Sequence, residues 1–395
     1  MTLLETVDDV ALAERVDALL AQFPPATTEP EAFLGAQFDA GLAWVHFPEG
    51  CGGLGLTPAL QAVVAERLRD AGAPTCYERN PIGFGMAAPT LVAHGSADQR
   101  SRYLRRLFTG EDVWCQLFSE PGAGSDVASL ATRAVRDGDV WRVTGQKVWT
   151  SFAHVASYGL LLARTDPSVP KHQGMTYFVI DMHAPGVEVR PLRQITGDAE
   201  FNEVYLTDAV VPEAERLGEE GAGWRVALTT LANERVLLGG AGSSPAGTPT
   251  EVLLKIWEVV SPTQRERLRA EVTKLYADLE VNRLTSMRAK ALASAGTPGP
   301  EGSISKLAAT QLNQRLGSML LDLLGAEGML VRTPYENASP LDLYIDPAKA
   351  FLRSRGNTIE GGTSEIMRNI LAERMLGLPA EPRVDRDVPW RDAVR

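Results

Sequence analysis

The stretch TRAVRDGDVWRVTGQKVW, Thr132 to Trp149, is two runs of alternating apolar and polar residues hinged on Asp137, Gly138 and Asp139. Alternation with a period of two marks a strand with one buried face, and Asp-Gly between two such runs is a hairpin signal. YGLLLART, MTYFVIDM, VEVRPL and EVYLTDAVV follow as short strands, so residues 115–217 are predicted to be all β. On either side the apolar spacing returns to about 3.6. Residues 1–114 carry it in PALQAVVAERLRDAG and SADQRSRYLRRLFTG, with the Gly-rich FPEGCGGLGLTP as an intervening loop. Residues 218–395 carry it in GAGWRVALTTLANERVLLGGAG, QRERLRAEVTKLYADLEVNRLTSMRAKALA, ISKLAATQLNQRLGSMLLDLLGAEG and SEIMRNILAERMLG, broken by loops at SSPAGTPT and SAGTPGPEGS. The predicted plan is an α+β composite of helices, then strands, then helices, with no internal repeat.

At 395 residues, 44% hydrophobic and 23% charged, the chain has a globular composition with room for two or three packed regions. A formal charge of −11 and a pI near 5.1 leave no basic block to neutralise phosphates, which argues against a nucleic-acid binder. Cys51, Cys76 and Cys115 have no metal-ligand spacing and an odd count, so neither a disulfide framework nor a metal site is expected, and a reducing cytoplasm fits best. The acid-bearing start MTLLETVDDVALAERVDALLAQF reads as an amphipathic helix rather than a signal peptide. No run approaches the roughly 18 apolar residues of a membrane span.

Four strings carry chemistry. In QLFSEPGAGSD, Gly122 and Gly124 permit close backbone approach, and free N–H groups with the hydroxyls of Ser119 and Ser125 suit a polar ring edge or a phosphate. An ordinary Pro-Gly turn accounts for the same residues. In KVWTS, Trp149 and Ser151 lie two apart on a predicted strand and share a face, an aromatic wall beside a hydroxyl, although a strand Trp is more often core. In LANERVLLGGAG, Glu234 sits on a predicted helix amid Leu231, Val236, Leu237 and Leu238, where desolvation would raise its basicity; the plainer reading is a surface Glu-Arg pair. NTIEGGTSEIMRNI, Asn357 to Ile370, puts Glu360 directly before two glycines, with Ser364 and Glu365 at a helix start as cap and first-turn acid.

The strings FSEPGAGSD (Phe118 to Asp126), GQKVWTS and EGGTSEIMRN, in this order and straddling a β insert, resemble the acyl-CoA dehydrogenase flavoproteins across essentially the whole chain. The resemblance implies an N-terminal helical domain over 1–114, a middle β-barrel or β-sandwich domain over 115–217, and a C-terminal four-helix bundle over 218–395 that carries the base and the oligomer contacts. It implies FAD as cofactor. Gln116, Phe118, Ser119, Gly124 and Ser125 would line the flavin, with Ser119 at the pyrimidine edge and Ser125 near the pyrophosphate or the thioester. Gln116 and Phe118 differ from the medium-chain enzymes, so the flavin pocket differs in detail. Trp149, Thr150 and Ser151 would meet the isoalloxazine, Ser151 supplying a hydroxyl to flavin N5, while Thr363 and Glu365 match cofactor-contacting positions. Arg235 would position the acyl-pantetheine.

The family's chemistry needs one carboxylate to remove the α-proton of an acyl thioester while the β-hydride leaves for the flavin. In medium- and short-chain relatives that Glu directly precedes the Gly-Thr of the closing motif, a place held here by Gly361. Glu360 is one residue early, which in an extended loop turns the side chain to the opposite face. Isovaleryl and long-chain relatives instead place the base immediately before an Arg, and Glu234 precedes Arg235. Glu234 is therefore the expected base, with the Gly361 N–H donating to the thioester oxygen.

Two departures concern assembly. The Arg-x-x-Phe-Gly of many homotetrameric members is absent from LLKIWEVVSPTQRERLRAEVTKLYADLE, and LDLLGAEG carries Asp322 for a usual Gln and Ala326 for a second Gly. The expected assembly is a homotetramer or homodimer, or a heterotetramer in which a homologous subunit supplies the missing contacts, as in actinobacterial steroid-degrading members. The expected activity is FAD-dependent α,β-dehydrogenation of an acyl-CoA to the trans-2-enoyl-CoA, with electrons passing to an electron-transferring flavoprotein. The alternatives are a non-catalytic or flavin-sharing subunit, and an acyl-CoA oxidase.

Overall fold

Residues Arg133–Asp137 (β2) and Val140–Ser151 (β3) pair antiparallel around Gly138 at φ 64°, the hairpin that the alternation predicts. The computed structural model describes residues 7–239, 248–294, 301–331, 346–382 and 385–393. The other strands are Trp114–Leu117 (β1), Tyr158–Arg164 (β4), Met175–Asp181 (β5), Val187–Leu192 (β6), Phe201–Pro212 (β7) and Arg216–Leu217 (β8). They join one sheet in the order β6-β7-β3-β2-β4-β5-β8, with β1 parallel to β4. Leu160, Leu162, Tyr177 and Val179 point into a core shared with the helices. Leu161, Ala163, Phe178 and Ile180 point into a second core with Trp141 and Val143 of β3 and Val204 and Leu206 of β7. Both faces of β4 and β5 are thus covered, which is why YGLLLART is a continuous apolar run. The sheet curls back on itself until the Trp141 and Phe178 rings lie 5.4 Å apart.

The N-terminal helices are Val7–Gln22 (α1), Pro30–Asp39 (α2), Gln61–Asp70 (α3), Ala88–His94 (α4) and Ala97–Thr109 (α5). α5 starts in a capping box of Ser96 and Gln99 and stops at Gly110 with φ 80°. Tyr103 of α5 donates 2.7 Å to Glu215, tying this layer to the end of the sheet. A π-turn at Gly83–Ala87 leads into α4 and packs on the next helix along the chain.

That helix is Gly223–Gly239 (α6), followed by Pro249–Val259 (α7), Pro262–Ser294 (α8), Glu301–Leu324 (α9), Pro347–Ser354 (α10) and Ser364–Arg374 (α11). α9 is the hub, packing on α6, α7, α8, α10 and α11. A Cβ on Gly317 of α9 would sit 3.1 Å from the Phe351 Cα of α10, so only glycine allows this approach without a shift. Two ion pairs lock α10 onto the segment before β7: Lys349 to Asp198 at 2.7 Å and Arg353 to Glu200 at 3.1 Å. Asp322 is exposed near the end of α9, and most of the SSPAGTPT break lies outside the described residues. Among the described residues no helix is long and apolar enough to cross a membrane, and no group of His, Cys, Asp and Glu could hold a metal ion. The three cysteines are free thiols.

Lys147 of β3 is a fully buried charge. Its ammonium donates to Glu120 Oε1 (2.8 Å), the Leu162 carbonyl (2.9 Å) and the Phe118 carbonyl (3.0 Å), which uses all three of its N–H groups. Glu120 also accepts the N–H groups of Ala131 (2.6 Å) and Thr132 (2.9 Å). Burial pushes the Glu120 carboxyl up, but Lys147 and these N–H groups outweigh it, and the net position is below the ordinary carboxylate range. A carboxyl depressed in the folded state contributes stability that is present above the ordinary range and lost as pH falls through the native value. Glu120→Gln strands a buried ammonium and is expected to cost about 3–5 kcal/mol by urea unfolding. Adding Lys147→Met to that variant should cost less than the two single changes summed; strict additivity would mean the pair is not coupled.

Candidate functional site

β1 runs straight into the FSEPGAGSD loop, and β3 holds that loop in place. The Val148 N–H donates 2.9 Å to the Ser119 carbonyl beside the Lys147 contacts, so Phe118 to Glu120 are strapped to the strand that continues into Trp149, Thr150 and Ser151. Phe118 is buried, edge-on to Tyr177 at 5.7 Å between centroids, so its side chain belongs to the core. Gln116 on β1 and Ser119 are half-buried, while Gly124 and Ser125 are exposed. A Cβ on Gly122 or Gly124 would meet nothing within 4 Å, and neither has a positive φ. The fold itself therefore has no need of glycine at either place, whereas a ligand lying on the loop would. Lys171 bridges Asp126 at the end of the loop to Asp385 of the C-terminal tail, at 2.7 and 2.6 Å.

Strand alternation does not carry through Trp149. The β3–β7 register slips between Lys147 and Thr150, and Trp149 sits at φ 60° with its side chain 60% exposed. The expectation that Trp149 and Ser151 share a face by strand geometry is corrected here, because a bulge re-aims the side chains around it. The Trp149 ring lies edge-on to Phe201 at 6.0 Å. Thr150 is buried, and its Oγ1 has no hydrogen-bond partner among the described residues. An orphaned buried hydroxyl, an exposed indole and an open two-glycine loop on one support fit a large planar cofactor with polar edges.

α6 packs on the core that holds Phe118 and Tyr177. Thr230 hydrogen-bonds Thr90 of α4 (3.0 Å) and the Tyr177 hydroxyl (2.9 Å). Glu234 lies one turn further along and is half-buried, with Leu231 packed against the same core. Its charge is felt at Tyr177, whose phenol burial pushes well above its ordinary range, the Thr230 hydrogen bond opposing and Glu234 adding to the rise. The side chains of Arg235 to Leu238 lie outside the described residues.

The closing loop is coiled rather than extended, for the Glu360 N–H returns 3.0 Å to the Gly356 carbonyl. The face-reversal expected for Glu360 in an extended loop therefore does not apply. Its partners define it instead: Arg353 Nη2 donates at 2.8 Å and Asn357 Nδ2 at 2.5 Å, and Arg353 also holds Glu200. Gly361 and Gly362 follow at φ 63° and 98°, conformations that glycine alone adopts cheaply. The Gly361 N–H has no acceptor among the described residues. Thr363, not Ser364, caps α11, its Oγ1 accepting from the Ile366 N–H at 3.2 Å. Glu365 is exposed, 3.4 Å from Arg368.

Sequence reasoning missed Lys306 of α9, whose ammonium donates to the Gly362 carbonyl. It also missed Arg353 as the partner of Glu360. Lysine in an amphipathic helix reads as surface, and the one available signal was an inverted pattern: Ser303, Ser305 and Lys306 are buried while Ile304 is 36% exposed.

A flavin-type site between a curled sheet and a helical bundle is thus the class of arrangement that fold and site define. The chain matches the acyl-CoA dehydrogenase N-terminal domain over residues 2–111, the middle domain over 115–209 and the C-terminal domain over 221–376. It is 43% identical to the acyl-CoA dehydrogenase FadE34 of Mycobacterium tuberculosis over 86% of its length, but spans only 45% of that protein. It is 38% identical to the acyl-CoA dehydrogenase IpdE1 of the same organism, covering 87% of this chain and 86% of the other. Among solved structures it is similar to the ChsE4-ChsE5 complex from Mycobacterium tuberculosis, with TM-score 0.71, 28% identity, and 97% and 100% of the two chains covered. The protein belongs to the acyl-CoA dehydrogenase family, whose members are FAD-dependent flavoproteins.

Gly124→Val tests whether the open loop is there for a ligand. With nothing of the protein within reach of the new side chain, the unfolding free energy should stay within about 0.5 kcal/mol of wild type. Flavin bound per chain, read from the visible absorbance, should fall sharply; unchanged flavin content would make the loop an ordinary turn.

Proposed function

We propose that the chain catalyses α,β-dehydrogenation of an acyl-CoA thioester to the trans-2-enoyl-CoA, with Glu234 as the base. Bound FAD supplies the acceptor for the β-hydride. The observation that carries the choice of base is the engagement of Glu360 by Arg353 and Asn357. Those bonds commit Glu360 to holding the closing loop to α10, while Glu234 stands on α6 one turn from Leu231, its charge felt at Tyr177 and at Lys306. Gly361 donates its N–H to the thioester oxygen as enolate charge develops, and the lack of a side chain there leaves room for the acyl group. Gln116, Ser119, Gly124, Ser125, Trp149, Thr150 and Ser151 hold the flavin from the sheet side, and Thr363 and Glu365 from the start of α11. Arg235 positions the pantetheine, and electrons pass on to an electron-transferring flavoprotein.

A second reading is a flavin-sharing subunit of a heteromeric dehydrogenase. It is favoured by the missing Arg-x-x-Phe-Gly, by exposed Asp322, and by similarity to a structure described as a complex of two named chains. The absorbance of the chain expressed alone separates the two. One flavin per chain, bleached anaerobically by some member of a panel of acyl-CoA thioesters, supports the self-sufficient enzyme; a folded chain with little flavin supports the shared site. Given a self-sufficient enzyme, Glu234→Gln should retain flavin and slow bleaching by at least about 10³-fold. If Glu360→Gln does so and Glu234→Gln does not, the base assignment is wrong.

A further inference from the structure

The search for groups the proposed chemistry leaves unused converges on Lys306. It is 1% exposed, and its ammonium donates to the Gly362 carbonyl. Burial pushes this ammonium below the ordinary lysine range, and Glu360 and then Glu234 pull it back. Both carboxylates are therefore electrostatic neighbours of one buried cation. We propose that Lys306 is a positioning residue for proton abstraction: it clamps the Gly362 carbonyl, so fixing the direction of the Gly361 N–H, and places a buried positive charge within the field of Glu234. This rests on the reading of Glu234 as base.

The clamp follows from the backbone. A Gly-Gly segment with both φ values positive has several peptide orientations of similar energy, so an N–H within it points one way only if its flanks are held. On the upstream side Glu360 is held by Arg353, Asn357 and the Gly356 carbonyl. On the downstream side the holding group is Lys306, with Met367 of α11 packed close to Gly362. The charge argument follows from the elements around the ammonium. Glu234 approaches from α6, with Tyr177 of β5 within its field. Glu360 approaches from the loop, with Arg353 of α10 behind it and Glu200 behind that. The beginning of α9 is polar on its buried side, and Ser305 Oγ next to Lys306 has no partner among the described residues.

The test uses the flavin-loaded full chain with Lys306→Met, Lys306→Gln and Lys306→Arg. Two quantities are followed against pH: anaerobic bleaching by the acyl-CoA that reduces wild type fastest, and deuterium uptake at the α-carbon of that thioester from D2O. Met removes both clamp and charge, Gln keeps a donor without charge, and Arg keeps the charge. The rising limb of both profiles should move up by about one pH unit or more in Met and Gln and stay in place in Arg. Exchange at neutral pH should fall further in Met than in Gln. An unmoved limb in folded Met or Gln variants overturns the proposal. So does loss of the fold in both while Arg matches wild type in every rate, for Lys306 would then support only the fold. If wild type neither bleaches nor exchanges with any thioester, or if Glu234→Gln still exchanges, it is the assignment of Glu234 that has failed.

Discussion

The ion pair of Lys147 and Glu120 is the constraint on which the site depends. A single ammonium, with no exposure to water, reaches two carbonyls and a carboxylate in two separate segments: Phe118 and Glu120 of the loop after β1, and Leu162 of β4. Taking the charges out of water costs several kcal/mol per ion, so the pair says little about net stability. What it fixes is geometry. Three directed hydrogen bonds leave the loop no freedom to slide along β3, so the glycines of the loop and the Trp149 bulge keep one relation to each other. An apolar replacement of similar volume could fill the space but could not specify that relation.

A second constraint operates at the other wall. Arg353 lies 5.1 Å over the Phe201 ring, and Phe201 in turn meets Trp149, so a chain of contacts runs from the end of β3 to the closing loop. The same guanidinium binds Glu200 of the sheet and Glu360 of the loop. α10 is therefore a splint between two regions far apart in sequence. Its effect is to hold the Gly361–Gly362 segment at a set distance from the sheet, while α9 holds the same segment to the helical bundle.

Much of this was legible in the sequence because the local signals have fixed periods. Alternation gave the β2–β3 hairpin, and YGLLLART and MTYFVIDM gave the strands β4 and β5. Other features have no local period. The π-turn at Gly83–Ala87 depends on what α6 presents to it, and the Trp149 bulge on the register of β7. The environment of Glu360 was hidden for a related reason: Arg353 lies seven positions upstream, at the end of α10, and its other acidic partner Glu200 lies 160 positions upstream of Glu360. Sequence placed the two candidate carboxylates correctly on a helix and a loop, yet the extended-loop argument used to set one aside was mistaken. A coiled loop and an ion pair replaced it.

That replacement bears on how carboxylates of identical chemistry acquire different roles. Charges alternate in sign from α6 to the sheet: Glu234, Lys306, Glu360, Arg353, Glu200. Arg353 is the member engaged directly from both sides, by Glu360 at 2.8 Å and by Glu200 at 3.1 Å. On the proposed reading Glu234 is the end that meets the thioester. Lys306 then stands between it and Glu360, so one buried cation ties the carboxylate of the helix to the carboxylate of the closing loop.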